Sequence, residues 1–286
     1  MVIRPAYRFG KREGIDELCR LVADRCKEAA GERIGLDHWL AYHTNKSGML
    51  YDPVSVADPL ETRLIDPNDV HRRPKYGCFD RITNIGNVRG GDWDQSELSF
   101  TDHPTYVGLV ERFEEGLPWE DTVYVEHNAK RIQNETAEKG CSTIDDLLEV
   151  RCPYIDHLFD RIKRDGYKAQ AELGASGIDD NRHEPTSDWL RTNEVGVNIS
   201  RDGSFQINSG FHRLSIARIL GIDEIPVQVI VRHREWQKIR EEIATTSSRD
   251  ALPLWIHRHI PHPDLVDIDF DCNRIGSVEP IPQINA

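Results

Sequence analysis

The chain has 286 residues with 36 Lys or Arg and 49 Asp or Glu, which gives a formal net charge of −13. Such a chain is not expected to attract DNA at long range. No apolar run approaches the roughly 20 residues that a membrane-spanning helix needs. The N-terminus has no apolar signal-peptide core, which predicts a cytoplasmic protein.

The first half of the chain predicts helices separated by long loops. Apolar residues recur at helical spacing over 13–30, which indicates an amphipathic helix. Residues 36–90 are rich in Pro, Gly, Asn and Asp, which favours loops with short strands. A helix is predicted over 104–116, after Pro104, and a shorter one over 142–151.

A carboxylate-rich segment follows the predicted loops. It reads Gly90-Gly91-Asp92-Trp93-Asp94. In an extended segment Asp92 and Asp94 point the same way. Paired carboxylates hold Mg²⁺ together with substrate phosphates, or act as a general base, so both residues are candidate catalytic and metal-binding groups. The alternative is a structural turn packed by Trp93.

The second half contains the most informative stretch, which predicts strand, turn, strand, helix and strand. Apolar residues alternate over 195–199, and Asp202-Gly203 is a hairpin signal. A helix then begins at Gly210 and ends at Gly221, a typical helix stop. Residues 225–231 are β-branched and apolar, which predicts a buried strand.

The start of this helix is a candidate phosphate site. The first amides of a helix lack internal partners and carry the positive end of its dipole. Glycine allows an anion close to the backbone, and His and Arg add donors. The candidate binding residues are Ser209, Gly210, Phe211, His212 and Arg213. The alternative is an ordinary helix start with two solvated basic residues.

This order of elements resembles the core of the ParB/sulfiredoxin superfamily, which includes a free-serine kinase. The resemblance is carried by Asp202-Gly203, by Gly210-Phe211-His212-Arg213, by Gly221 and by Ile225-Pro226-Val227. A predicted helix over 155–166 is similar to the family's upstream helix. The resemblance covers roughly residues 155–231. It implies an α+β fold with a small mixed sheet and flanking helices, to which a large N-terminal extension is added.

Departures from the family pattern narrow the expected activity. Phe211 occupies the place of the sulfiredoxin nucleophilic Cys, so sulfiredoxin activity is not expected. After the core, one helix over 234–246 and a tail are predicted, so the DNA-reading half of partition ParB proteins is missing. The His212-Arg213 pair is nearest to the free-serine-kinase type. It implies ATP or another nucleotide as ligand, with Mg²⁺, and makes His212 a candidate catalytic residue.

Three regions are predicted along the chain. Residues 1–150 form an extension or cap that contributes the Asp92 segment, 151–233 form the core, and 234–286 form a helix and tail. The polar, glycine-rich stretch 174–193 is predicted to be an inserted loop. It is either a lid over the site or an inert insertion.

Other polar clusters give weaker signals. A basic run near the upstream helix is either a local basic patch or a solvated helix face: Arg161, Lys163, Arg164 and Lys168. The six cysteines are scattered without a CxxC pair, which predicts small core residues. Residues 257–262 contain three histidines, which indicate either a ligand set or an exposed polar tail. No acid or Cys partner completes a known spacing, which favours the exposed tail.

Two functions are consistent with these features. The first is a nucleotide-binding phosphotransferase or nucleoside-triphosphate hydrolase that acts on a small acceptor. The second is a non-catalytic module that binds a nucleic-acid backbone or a regulatory nucleotide. The negative net charge favours small ligands over nucleic acid. Neither the acceptor nor the oligomeric state is indicated.

Overall fold

The computed structural model describes residues 35–75, 77–134, 141–173 and 192–268. The helix predicted over 13–30 and nearly all of the loop predicted over 174–193 lie outside the described residues. Within these ranges, no helix combines the length and the apolar character needed to cross a membrane.

A five-stranded mixed sheet lies at the centre. Its longest strand pairs in parallel with β2 and β3 and antiparallel with β1, and β3 pairs antiparallel with β4. The strands are β1 (Thr62–Ile65), β2 (Asn87–Arg89), β3 (Val195–Ile199), β4 (Phe205–Ser209) and β5 (Ile225–His233). The α+β fold class predicted from the sequence is confirmed.

Helices surround this sheet. They are α1 (Leu36–Leu50), α2 (Arg81–Asn84), α3 (Pro104–Phe113), α4 (Val123–Gln133), α5 (Ile144–Asp146), α6 (Cys152–Asp165), α7 (Gln170–Leu173), α8 (Phe211–Ile219), α9 (Arg234–Thr245) and α10 (Leu254–His257). A π-helical turn, Leu147–Arg151, joins α5 to α6. The helices predicted at 104–116, 142–151, 155–166 and 234–246 are therefore confirmed, the second and third as one continuous run.

The β3–β4 hairpin forms as its turn residues predict. The backbone N–H of Ser204 donates to the Asp202 carboxylate at 3.0 Å, and Gly203 has φ +87°. A Cβ at Gly203 would lie 2.6 Å from the Trp236 ring. Only glycine meets both conditions, the positive φ and the contact with α9.

Part of the N-terminal region predicted as loops with short strands is helical. Residues 36–50, predicted as loop, form the helix α1. Its buried residues are only Leu36, His43 and Ser47, two of them polar. A helix that contributes so little apolar surface leaves a weak helical period in the sequence. The short strands predicted within 36–90 are present as β1 and β2.

A second apolar cluster lies in the helical layer. Leu109 of α3, Tyr124 of α4 and Leu158 of α6 pack there, and Ile216 of α8 joins them. The layer therefore contacts the helix that carries the candidate site. Because β1 and β2 belong to the central sheet, that sheet draws on both sides of the boundary predicted at residue 150.

Part of the C-terminal tail packs against β5 and α9. Trp236 and Ile239 of α9 are buried, as predicted. Asp264 is fully buried, and it accepts hydrogen bonds from Arg232 at 2.6 Å and from the Trp236 indole at 2.8 Å. His262 contacts the carbonyl of Gly203 at 2.8 Å. The predicted exposed tail at 257–262 is wrong because a buried charge and a histidine anchor it.

Candidate functional site

A cavity of about 710 Å³ opens at the N-terminal end of α8. The five residues predicted to bind phosphate all line it: Ser209, Gly210, Phe211, His212 and Arg213. This volume lies in the range of about 300–1,000 Å³ that is usual for small-molecule sites. The structure therefore brings the predicted set together in one concave site.

Arginines dominate the charge of this cavity. Five of them line it, each from a different element: Arg81 of α2, Arg131 of α4, Arg151 of the π-helical turn, Arg161 of α6 and Arg213 of α8. Among the described residues of the lining there is no Asp or Glu. The chain as a whole carries −13, so the cavity is a local concentration of positive charge.

Three of these arginines, Arg81, Arg131 and Arg151, were missed by sequence reasoning, and Arg161 was named only as part of a basic run. Arg151, Tyr154, Leu158 and Arg161 recur at helical spacing, and all line the cavity. That spacing was a usable signal, because it places them on one helix face. Of the two interpretations of the basic run, the solvated helix face holds for the exposed Lys163, Arg164 and Lys168, whereas Arg161 is partly buried and lines the cavity. No spacing connects Arg81 and Arg131, which are remote in sequence.

Gly210 shapes the entry to α8. It is the N-cap residue with φ +85°, and a Cβ there would lie 3.1 Å from Cα of Val195. Glycine therefore lets the helix start pack closely against β3 in a left-handed conformation. It also brings no side-chain acceptor to the first amides of α8. Those amides keep their capacity to bind an anion.

Two of the arginines are oriented by the segment before β3. Arg213 donates through Nη2 to the carbonyl of Asn193, and its Nη1 lies 3.9 Å from Oε2 of Glu194. Arg81 donates through Nη2 to the carbonyl of Glu194 at 2.6 Å and to Oγ of Ser209. Burial raises the pKa of Glu194, against the lowering effects of the Gln170 amide and both arginines. Glu194 is not part of the lining, and it orients Arg81 through its backbone carbonyl and Arg213 through its carboxylate.

A loop clamp fixes the position of Arg81. The backbone N–H of Phe79 donates to the side-chain carbonyl of Asn208 at 2.8 Å, and the Asn208 amide donates back to the Phe79 carbonyl at 3.0 Å. Asp80 then caps α2 by accepting from the N–H of Thr83. This arrangement ties the start of α2 to β4, directly beside Ser209.

The positive charge of Arg81 is incompletely compensated. Burial and the neighbouring Arg213 lower the pKa of Arg81 to about 9, with Glu194 acting in the opposite direction. The Arg81 guanidinium is still protonated at neutral pH. Glu194 acts on both Arg81 and Arg213, and Asp80 acts on Arg81 as well, so a further anion in the cavity would be favoured by both arginines.

His212 is neutral in this site. Its Nε2 lies 3.1 Å from the Tyr124 hydroxyl and its Nδ1 3.5 Å from Nη2 of Arg151. A guanidinium only donates, so Nδ1 is the acceptor and Nε2–H donates to Tyr124. Burial, then the charges of Arg151, His103 and Arg213, lower the pKa of His212 well below 6.5. His212 therefore contributes a polar contact and no charge at neutral pH.

The position of Tyr124 depends on a close helix crossing. A Cβ at Gly108 of α3 would lie 2.4 Å from Cβ of Tyr124 and 2.5 Å from its backbone nitrogen. No side chain larger than hydrogen fits without moving α4. Gly108 thus allows α4 to approach α3 and carry the Tyr124 hydroxyl to His212.

We expect Gly108→Ala to destabilise the protein by about 1–3 kcal/mol, the usual cost of overpacking. The measurement is urea unfolding followed by circular dichroism. Gly48→Ala is the matched control, because a Cβ at Gly48 in α1 meets no atom within 4 Å. There the higher helix propensity of alanine should stabilise by up to about 1 kcal/mol. Equal urea midpoints for Gly108→Ala and Gly48→Ala would contradict the close approach of α3 and α4 at Gly108.

The structure does not place Asp92 and Asp94 in this cavity. Both pair with Arg201 of the hairpin turn: Asp94 at 2.7 Å and Asp92 at 2.8 Å. Because β3 and β4 are antiparallel, Arg201 and Gly210 lie at opposite ends of the hairpin. The segment therefore lies away from Gly210, and the predicted catalytic and metal-binding roles of Asp92 and Asp94 are not supported at this cavity. Asp94 is buried and ties the segment to the hairpin, whereas Asp92 is exposed.

The described residues of the cavity provide no metal-binding cluster, and Cys78 is the one cysteine among them. No group of three His, Cys, Asp or Glu able to hold a metal occurs in the described part of the chain. Cys141 and Cys152 are buried and free, as predicted for small core residues. Cys78 lines the cavity and is exposed, so the predicted core role is wrong for this residue.

Comparisons of the chain with family models, with curated proteins and with solved structures found no match.

Proposed function

We propose that this protein binds a nucleoside di- or triphosphate in the cavity and transfers the terminal phosphoryl group to a small acceptor or to water. The observation that carries the proposal is the set of five arginines that lines the cavity at the start of α8. Arginine and helix amides are the usual partners of phosphate oxygens. The order β3, β4, α8 and β5 supports a further part of the proposal, membership of the ParB/sulfiredoxin superfamily.

The proposed roles follow the geometry of the lining. The amides of Phe211 to Arg213 and the guanidinium groups of Arg213 and Arg81 would hold the phosphates. Phosphoryl transfer needs positioning and charge neutralisation more than covalent chemistry, and arginines supply both. His212, neutral and held by Tyr124, would contribute a polar contact to the bound group.

The described residues do not fit a protein-held Mg²⁺ ion in the cavity. Magnesium prefers carboxylate oxygens and water. The predicted ligands Asp92 and Asp94 are paired with Arg201 at the far end of the hairpin. We therefore assign no Mg²⁺ to side chains of the cavity and derive no step through it.

A small ligand fits this site better than a nucleic-acid backbone. The arginines line a concave cavity of about 710 Å³ rather than a flat surface. The net charge of −13 also opposes the long-range approach of a polyanion. A non-catalytic module for nucleic acid is the alternative that the following experiment separates.

We expect ATP and ADP to raise the melting temperature, with and without Mg²⁺. A ligand at about 100 times its Kd adds about 2.7 kcal/mol to the stability. Arg213→Gln should weaken nucleotide binding about 10- to 100-fold, because it removes charge-assisted hydrogen bonds worth about 1.5–3 kcal/mol. Calorimetric titration measures the affinities, and release of ADP from ATP measures turnover.

Arg164→Gln is the matched control for this variant. Arg164 is exposed, pairs with Asp165 at 2.8 Å and lies outside the lining. It should bind nucleotide as the wild type does. An Arg213→Gln protein with unchanged affinity would contradict the assigned site. Binding of duplex DNA at moderate salt, without any nucleotide response, would favour the non-catalytic alternative.

A further inference from the structure

A small recess adjoins the cavity on the side of α6 and α7. Its volume is about 50 Å³, and it shares four lining residues with the cavity: Leu158, Arg161, Gln170 and Arg213. The other buried or half-buried side chains of its lining are largely apolar: Ile162, Tyr167 and Leu173. Asp165 and Lys168, which also line it, are exposed. A space of this size holds about three or four waters, or the edge of one planar ring.

Two side-chain amides are hydrogen-bonded to each other beside this recess. Nδ2 of Asn193 donates to Oε1 of Gln170 at 3.2 Å, and both residues line the cavity. The bond leaves Nε2 of Gln170 as a donor and Oδ1 of Asn193 as an acceptor, and neither atom makes a hydrogen bond within the described residues. Exchanging oxygen and nitrogen in both amides would leave the same complement. The pair therefore suits a neutral ligand group with a donor next to an acceptor.

Backbone contacts hold the amide pair next to the arginine assigned to phosphate. The backbone N–H of Gln170 donates to Oε1 of Glu194, and the carbonyl of Asn193 accepts from Nη2 of Arg213. A ligand whose phosphates contact Arg213 would therefore have other parts of its structure close to the amides. Phosphate itself is poorly matched to the pair, because an unprotonated phosphate offers no donor for the free acceptor.

A further polar group of the recess lacks a partner. The Tyr167 hydroxyl is buried and makes no hydrogen bond to the described residues. Burial raises the pKa of Tyr167 to about 12, so the hydroxyl keeps its proton at neutral pH. Buried polar groups without a partner are rare in native proteins. A ligand atom in the recess would supply the missing hydrogen bond.

We propose that the recess and the amide pair form the nucleobase subsite, in which Gln170 and Asn193 bind the edge of the base. A nucleobase combines apolar faces with an edge on which donors lie next to acceptors. The recess offers matching apolar walls and a few placed polar groups, as ligand pockets usually do. Ribose and phosphates would remain in the cavity. This inference rests on the proposed nucleotide site and specifies how that site distinguishes a nucleotide from another polyphosphate.

The test compares nucleotides with tripolyphosphate, which has the phosphates but no base. In calorimetric titrations of ATP, CTP, GTP and UTP, we expect at least one to bind about tenfold or more tightly than tripolyphosphate. Gln170→Met keeps the length of the side chain and removes the amide. It should weaken binding of that nucleotide about 5- to 100-fold and binding of tripolyphosphate less than about threefold. Tyr167→Phe, which removes only the hydroxyl, should act in the same direction.

Gln133→Met is the matched control, because Gln133 is exposed on α4 and lies outside both linings. It should change neither affinity. If tripolyphosphate binds as tightly as every nucleotide, or if Gln170→Met leaves the ratio of the two affinities unchanged, the inference is wrong while the phosphate site stands. Should Gln170→Met not fold, the same ratio in Tyr167→Phe decides. If neither nucleotides nor tripolyphosphate bind, the proposed function fails and the inference fails with it.

Discussion

Asp264→Asn should destabilise the protein by about 3–5 kcal/mol, the usual cost of leaving buried charges without a partner. Asp264 is fully buried and lies 2.6 Å from Arg232, 3.3 Å from Arg240 and 3.8 Å from Arg63. Asparagine keeps the shape and an acceptor for the Trp236 indole, so the substitution removes charge and little else. Three guanidinium groups would then share the remaining carboxylates around them.

The destabilisation caused by Asp264→Asn should become smaller at acid pH. Burial by itself raises the pKa of Asp264, but Arg232 and Arg240 hold it well below its usual value. A carboxylate with a depressed pKa stabilises the fold above the unfolded pKa of about 3.9 and loses that contribution as the pH falls below it. The difference between wild type and Asp264→Asn should therefore be full at pH 7 and shrink below about pH 4.

Urea unfolding of both proteins at pH 7 and at pH 3.5 measures this difference. Asp165→Asn is the control, because it removes the same charge from an exposed pair with Arg164. Exposed pairs contribute little, so its unfolding midpoint should equal that of the wild type. An Asp264→Asn protein as stable as this control at pH 7 would show that the buried cluster does not depend on its central carboxylate.

Local chemistry made part of this fold predictable. Asp202-Gly203 predicted the hairpin because only glycine takes the positive φ that the turn requires. Gly210 and Gly221 bounded α8, and the β-branched run of β5 identified a buried strand. In each case, neighbouring residues alone determine the backbone. The predicted binding residues 209–213 were found together for the same reason, since they are contiguous.

Long-range contacts explain what the sequence did not reveal. Arg81 and Arg131 reach the cavity only because α2 is clamped to β4 through Asn208 and α4 crosses α3 at Gly108. Arg201 lies more than one hundred residues from Asp94, so the pairing that occupies this carboxylate has no local signature. A motif of two acids around a tryptophan looks the same whether it faces a ligand or an arginine.

Acid should destabilise the protein between pH 6.5 and pH 4, because two histidines of the cavity resist protonation. Burial, with Arg73, His127 and Arg131, lowers the pKa of His103 to about 4. His212 is lowered in the same direction by burial and its basic neighbours. In the unfolded chain both groups bind a proton below about pH 6.5, so stability falls as the pH falls through that value. For His103 the loss ends near its folded pKa.

The expected loss from the partly exposed His103 is about 1–3 kcal/mol, after allowance for solvent screening. His103 accepts the N–H of Thr105 as the N-cap of α3. His103→Asn keeps a good N-cap and removes the titrating group, so its stability should fall less between pH 6.5 and 4.5. Urea unfolding at half-unit steps of pH measures how the stability of each protein changes with pH. Equal slopes for wild type and His103→Asn would exclude His103 as the cause of the acid effect.

An anion in the cavity should reverse this acid effect. It would oppose the positive charges that depress both histidine pKa values, so binding takes up protons and strengthens as the pH falls. Sulfate is the suitable probe, because it stays doubly charged between pH 5 and 8. We expect its affinity to rise from pH 7.5 to pH 5 in the wild type and less in His103→Asn. Sulfate affinity that is independent of pH would mean that the anion binds away from His103 and His212. The anion site would then not be at the start of α8.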